Sequence, residues 1–164
     1  LHWIAENVTI QQTTDFPRQA LTCFTLHTLL PQLALNIYVR VPSWINANES
    51  FIEINGVRQA TTLISSSYVH LAKTIWKTND RIVYQMAMAV HMQPINDNAK
   101  LVSLLYGPIV LGGLIDRATL LSNDSDRIRP VNRTAHESLL FETHALDGTS
   151  FRFLPLYEIV NETY

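Results

Sequence analysis

Apolar and polar positions alternate with a period of two along much of this chain. The clearest run is Leu35 to Trp44, where Leu35, Ile37, Val39 and Val41 alternate with Asn36, Tyr38 and Arg40 before Pro42-Ser43-Trp44 closes it. That spacing predicts a strand with one face buried and one face wet. The same reading predicts strands over residues 2–10, 20–28, 51–55, 68–73, 82–90, 101–106, 109–111, 139–143 and 149–153. Turns are expected at residues 13–17, 29–32, 46–50 and 78–80, with a loop over Pro94 to Asn98. Asn55-Gly56 and Asp147-Gly148 are hairpin signals, because a tight hairpin turn needs residues that tolerate positive φ.

Many short strands and no long helical period predict an all-β fold, an antiparallel β-sandwich of jelly-roll or immunoglobulin-like type with room for part of a second sandwich. The expected organisation is a sandwich core over 1–115, a polar connecting stretch over 116–136, and a hairpin and tail over 137–164 that complete the sandwich. A weak boundary is placed near 116–130.

Composition narrows the function more than the fold. Charged residues make up 16% of the chain and the net charge is −2, with no basic block, so nucleic acid and anionic membrane are poor partners. The most apolar run, Leu101 to Ile115, is broken by Gly107-Pro108 and Gly112-Gly113. It is too short for a spanning helix of roughly 20 residues and reads as core. The chain opens at Leu1 without a signal peptide and reads as an excised piece of something longer.

Few residues offer chemistry. The single cysteine, Cys23, excludes an internal disulfide and sits in a neutral, apolar stretch, as a small buried hydrophobe would. His2, His27, His70, His91, His136 and His144 are scattered, with no spacing that converges on a metal. Glu53, Asp80, Asp97, Asp116, Glu142 and Glu158 qualify as glycosidase carboxylates by type alone, and most sit beside turns or on wet strand positions. Trp44 and Trp76 are read as plugs of the sandwich or its rim ahead of sugar-stacking platforms. No catalytic, cofactor-binding or metal-binding residue is assigned.

N-x-[ST] sequons stand at Asn7, Asn48, Asn123, Asn132 and Asn161, against about two expected by chance in this composition. They are candidate N-glycosylation sites and point to a secreted glycoprotein.

Six segments in order resemble the C-terminal β-sandwich region of glycoside hydrolase family 127, which includes β-L-arabinofuranosidases. They are Thr14-Asp15-Phe16-Pro17, Leu35 to Trp44, Ile54-Asn55-Gly56, Tyr68 to Leu71 with Trp76 to Asp80, Tyr106 to Val110, and Leu154 to Ile159. Asn79 stands where the family prefers Gly, and Arg18-Gln19 where it prefers Trp-Asp. The resemblance implies that catalysis lies in an absent (α/α)-barrel N-terminal to this region. There a zinc-held cysteine would act as nucleophile and a glutamate as acid/base. It implies no zinc or other cofactor here, with the barrel of the same chain, a carbohydrate substrate and a second copy of the chain as partners. The runner-up reading is a stand-alone carbohydrate-binding module using Trp44 or Trp76. A third is an immunoglobulin-like adhesion module.

Overall fold

The computed structural model describes residues 1–114, 130–134, 138–144 and 148–159, with only the backbone at positions 99 and 100. The described chain is built almost wholly of antiparallel strands and divides into two units, Leu1–Ala89 and Val90–Tyr164. This division precedes the polar stretch where the sequence places its weak boundary. The strand read through 82–90 ends at Gln85, and a new one begins at Val90.

The first unit contains β1 (His2–Trp3), β2 (Val8–Thr14), β3 (Leu21–Thr28), β4 (Leu33–Ala34), β5 (Tyr38–Val41), β6 (Phe51–Ile54), β7 (Val57–Arg58), β8 (Ser67–His70), β9 (Ile75–Trp76) and β10 (Arg81–Gln85). One layer is a six-stranded sheet in the order β1-β2-β3-β10-β6-β7. The ribbons β4-β9 and β5-β8 lie over its inner face. The entry stretch is a hairpin, not one strand. A 3-10 turn over Ile4–Glu6 and Asn7 at φ 52° reverse the chain, so that Trp3 pairs with Val8. Asparagine makes that reversal tolerable, since it enters the left-handed region more readily than most residues.

The alternation at 35–41 is realised position by position. Leu35, Ile37, Val39 and Val41 turn towards the core, whereas Asn36, Tyr38 and Arg40 are exposed. Only Tyr38–Val41 of the run is strand, since β4 ends at Ala34 and residues 35–37 link it to β5. Ala34 pairs with Ile75 and Tyr38 with His70, so four steps on one side face five on the other. The extra residue lies on the side of β8 and β9, between the two pairings. The core between the layers holds Leu26, Val41, Leu71, Trp76, Ile82 and Tyr84, each almost fully buried. Burying side chains of this size contributes about 1.5–3 kcal/mol each.

The second unit contains β11 (Val90–Ile95), β12 (Asn98–Tyr106), β13 (Ile109–Leu114), β14 (Asn132–Arg133), β15 (Phe141–His144) and β16 (Ser150–Pro155), in the order β11-β12-β13-β16-β15-β14. Its core is Ile109, Leu111, Leu139, Phe141 and Phe153. The loop expected at Pro94 to Asn98 is mostly strand. Pro94 pairs with Val102 on the edge strand β11, where a missing N–H costs no ladder bond. The register shifts immediately after it. β15 and β16 pair as the second hairpin signal predicts, and Gly148 has φ 87°. Asp147 lies outside the described residues, as does most of the 116–136 stretch.

Candidate functional site

Among the described residues, Asp80 is the best-connected carboxylate. Its Oδ1 accepts a hydrogen bond from Asn55 Nδ2 at 2.7 Å. Its Oδ2 accepts from the Lys77 N–H at 2.7 Å and pairs with Lys73 Nζ at 3.2 Å. Burial pushes this carboxyl up, but the bonds from Asn55, Lys77 and Lys73 and the Lys73 charge outweigh it, leaving the pKa below the ordinary value. Asp80 is therefore a fixed anion in a turn, the opposite of a general acid kept protonated near neutral pH.

The other candidate acids sit in separate settings. Glu53 lies opposite Arg58 on neighbouring strands. Asp97 is exposed in the turn between β11 and β12. Glu142 accepts a hydrogen bond from Ser150 Oγ, with His144 Nε2 at 3.6 Å from its Oε1. Glu158 is exposed in the last 3-10 turn, and Asp116 is outside the described residues.

Cys23 is 5% exposed, as its apolar stretch predicts. Its surroundings are not neutral, however. Arg81 Nε donates to its sulfur at 2.7 Å, and that bond raises the guanidinium pKa further. The contact joins neighbouring strands 58 residues apart in sequence, so local composition carries no sign of it. Among the described residues, no three of His, Cys, Asp and Glu group to hold a metal, so no ligand set forms around Cys23 there. His2, His27 and His70 share hydrogen bonds with Thr9, Gln11 and Asn36 respectively. His91 lies on β11, and His136 falls outside the described residues.

Trp44 and Trp76 face inward, whereas Trp3 is exposed. Trp76 is wholly buried, and its indole N–H donates to the Leu35 carbonyl at 2.8 Å. Trp44 packs on the core and stacks with Phe16 at 5.9 Å between centroids. Exposed aromatic rings occur instead on the outer face of β5 and β8, a feature missed because Tyr38 and Tyr68 read only as the wet half of an alternation. Tyr38 lies 4.8 Å from the His70 ring, and Arg40 lies 5.8 Å over Tyr68. A cleft of about 320 Å³ opens beside this ribbon, lined by Ile10, Phe24, Ile37 and Ile82, with Gln12 and Arg40 also on its wall. Of the sequon asparagines, Asn7, Asn48 and Asn132 are exposed, while Asn123 and Asn161 lie outside the described residues.

These features sit on a fold that comparison with known proteins identifies. The family model "Beta-L-arabinofuranosidase, GH127 middle domain" matches residues 1–88. The chain belongs to the GH127 family. The match ends one residue before the first unit does, and it describes a middle domain instead of the C-terminal region that the resemblance suggests. Among solved structures, one described as a glycoside hydrolase aligns over 100% of this chain and 32% of its own, at TM-score 0.69 and 17% identity. A GH127 β-L-arabinofuranosidase from Geobacillus stearothermophilus T6 aligns over 93% of this chain and 28% of its own, at TM-score 0.65 and 18% identity. A further GH127 β-arabinofuranosidase aligns over 93% and 29%, at TM-score 0.62 and 14% identity. The GH127 chain described here thus spans about a third of the length of these structures, and at such identities the likeness is one of fold. No curated protein matches it.

Proposed function

We propose that this chain is the non-catalytic β-sandwich part of a β-L-arabinofuranosidase, and that it buttresses an (α/α) catalytic barrel elsewhere in the same polypeptide. The observation that carries this reading is the match of residues 1–88 to a domain described as the middle of such an enzyme. The settings of the candidate acids support it. Asp80 is consumed by a turn, and Glu53, Asp97 and Glu142 occupy different elements of the two units. Hydrolysis by a carboxylate pair needs both groups across one scissile bond, and the zinc-held cysteine that the resemblance implies needs further ligands, which do not group around Cys23 among the described residues. Zinc, where the enzyme uses it, belongs to the barrel in this reading.

The parent is read as a secreted glycoprotein that acts on a carbohydrate and pairs as a homodimer. Exposure of Asn7, Asn48 and Asn132 supports the first part, since an acceptor asparagine must be reachable. The test is hydrolysis of an aryl β-L-arabinofuranoside by the intact protein. Turnover is expected, and a folded intact protein that leaves the glycoside untouched overturns the reading.

A further inference from the structure

Asn55 is the one asparagine in the chain that glycine follows. That pair has a chemistry of its own. With no side chain on the next residue to obstruct it, the Gly56 backbone nitrogen can attack the Asn55 side-chain carbonyl carbon. The bond to Nδ2 breaks, the attacking nitrogen gives up its proton, and ammonia leaves. Water then opens the resulting succinimide ring to aspartate or, with the main chain rerouted through the side chain, to isoaspartate. Water is the co-reactant, and nothing is oxidised or reduced.

The fold decides when this can happen. Asn55 and Gly56 form the exposed tip of the β6-β7 hairpin, at φ of 52° and 80°. Space around the Gly56 Cα is open, so packing does not keep water out. Hydrogen bonds restrain the side chain instead. Nδ2 donates to Asp80 Oδ1 at 2.7 Å, and Oδ1 accepts the Arg81 N–H at 2.8 Å. Both ends of the planar carboxamide are thus tied to the turn that feeds β10. Asp80 is itself fixed, by the Lys77 N–H at 2.7 Å and Lys73 Nζ at 3.2 Å. A hydrogen bond to a carboxylate is among the stronger kinds. The Arg81 N–H polarises the Asn55 carbonyl, but geometry outweighs that. The carboxamide must leave both partners before its carbon can swing onto its own main chain.

We propose that Asn55 is a self-modification site gated by this contact: it deamidates when the hairpin parts from Asp80, and the product keeps the two apart. The aspartate product has no hydrogen to give Asp80. Where Nδ2 donated, carboxylate oxygens would face each other at hydrogen-bond distance, with Lys73 as one charge against two. The isoaspartate product lengthens the backbone of a turn that joins Ile54 directly to its partner Val57, and the pairing of Glu53 with Arg58 depends on that turn. Each local opening therefore carries a chance of being written into the covalent chain and of not closing again. The inference rests on the turn alone and is independent of the proposed function.

The test is peptide mapping of the intact protein by mass spectrometry during incubation at neutral pH. Conversion at Asn55 is expected to run at least about tenfold slower in the native protein than in guanidinium chloride, because only the locally opened fraction reacts. Asp80→Ala should speed native conversion at least about fivefold by removing the acceptor. Asp80→Asn, which keeps a carbonyl acceptor, should fall between wild type and Asp80→Ala, and it serves where the alanine variant does not hold its fold. The product is tested by Asn55→Asp, whose urea midpoint should lie below that of the wild type. In Asn55→Asp/Asp80→Asn the amide is donated from the other side, and the midpoint should recover. Native conversion as fast as in guanidinium chloride, or unchanged by either substitution of Asp80, overturns the gate. A midpoint for Asn55→Asp equal to the wild type, or no recovery in the exchanged pair, overturns the claim that the product holds the hairpin away.

Discussion

Asn55 and Asp80 are 25 residues apart in sequence, yet their side chains meet at 2.7 Å and lock the hairpin β6-β7 to the turn that feeds β10. Asn55 Oδ1 also accepts the Arg81 N–H at 2.8 Å, and the Asn55 N–H donates to the Arg81 carbonyl at 2.9 Å. The Asp80 carbonyl in turn accepts the Leu26 N–H at 2.9 Å. Two turns that read as unrelated punctuation thus form one polar knot at the end of the sandwich.

Asp80→Ala leaves the Lys77 N–H and the Asn55 amide without their acceptor, so it is expected to cost about 1–3 kcal/mol of unfolding free energy by urea titration. Because the Asp80 pKa is lowered in the folded chain, its stabilisation is present above the carboxylate's unfolded value. That stabilisation is lost as pH falls through the folded value. The gap between wild type and Asp80→Asn should therefore shrink on acidification below about pH 4. A gap that is flat or widens with acid would contradict the ion-pair account.

Tyr84 is 2% exposed, and its hydroxyl has no hydrogen-bond partner among the described residues. Burial raises its pKa to about 12. Tyr84→Phe removes an unsatisfied polar atom and should be neutral or stabilising by about 1 kcal/mol. The unfolded chain ionises this phenol near pH 10, before the folded one does, so wild-type stability should fall with alkali from pH 10 upward. The phenylalanine variant should lack that part of the slope. Parallel pH profiles between pH 9 and 11.5 would show that the hydroxyl is solvated.

The Asn55-Gly56 hairpin has φ of 52° and 80° at its two central residues. A Cβ at Gly56 meets nothing within 4 Å, so the cost of Gly56→Ala is one of backbone conformation alone, about 1 kcal/mol. A loss well above 3 kcal/mol in thermal or urea unfolding would mean the turn holds more than its own geometry.

Cys23 should resist a bulky thiol reagent in the native protein and react fully in urea, since its sulfur lies behind the Arg81 side chain and is 5% exposed. Stoichiometric labelling without denaturant would refute this placement.

How far the sequence carried can be judged from such residues. Period-two patterning placed Leu35 to Val41 correctly to the single side chain, because burial on one face is a local property of a strand. Asn79 has φ 66°, so its reading as a stand-in for glycine holds in the turn before Asp80. What escaped was longer-ranged. The extra residue opposite Ala34 to Tyr38 depends on the partner strands. The Arg81-Cys23 contact depends on register, and the split at Ala89 interrupts an unbroken apolar pattern. The exposed rings of Tyr38 and Tyr68 escaped for another reason. A wet tyrosine and a wet threonine fit the same alternation, and only the exposed face as a whole sets them apart.

The claim beneath all of this is that these sheets support a reaction centre they do not contain. The most direct check is turnover of an aryl β-L-arabinofuranoside by purified residues 1–164, shown by far-ultraviolet circular dichroism to hold a β-rich fold, beside the intact protein at equal molarity. Hydrolysis by the intact protein and none by residues 1–164 is the predicted result. Turnover by residues 1–164 alone would contradict it.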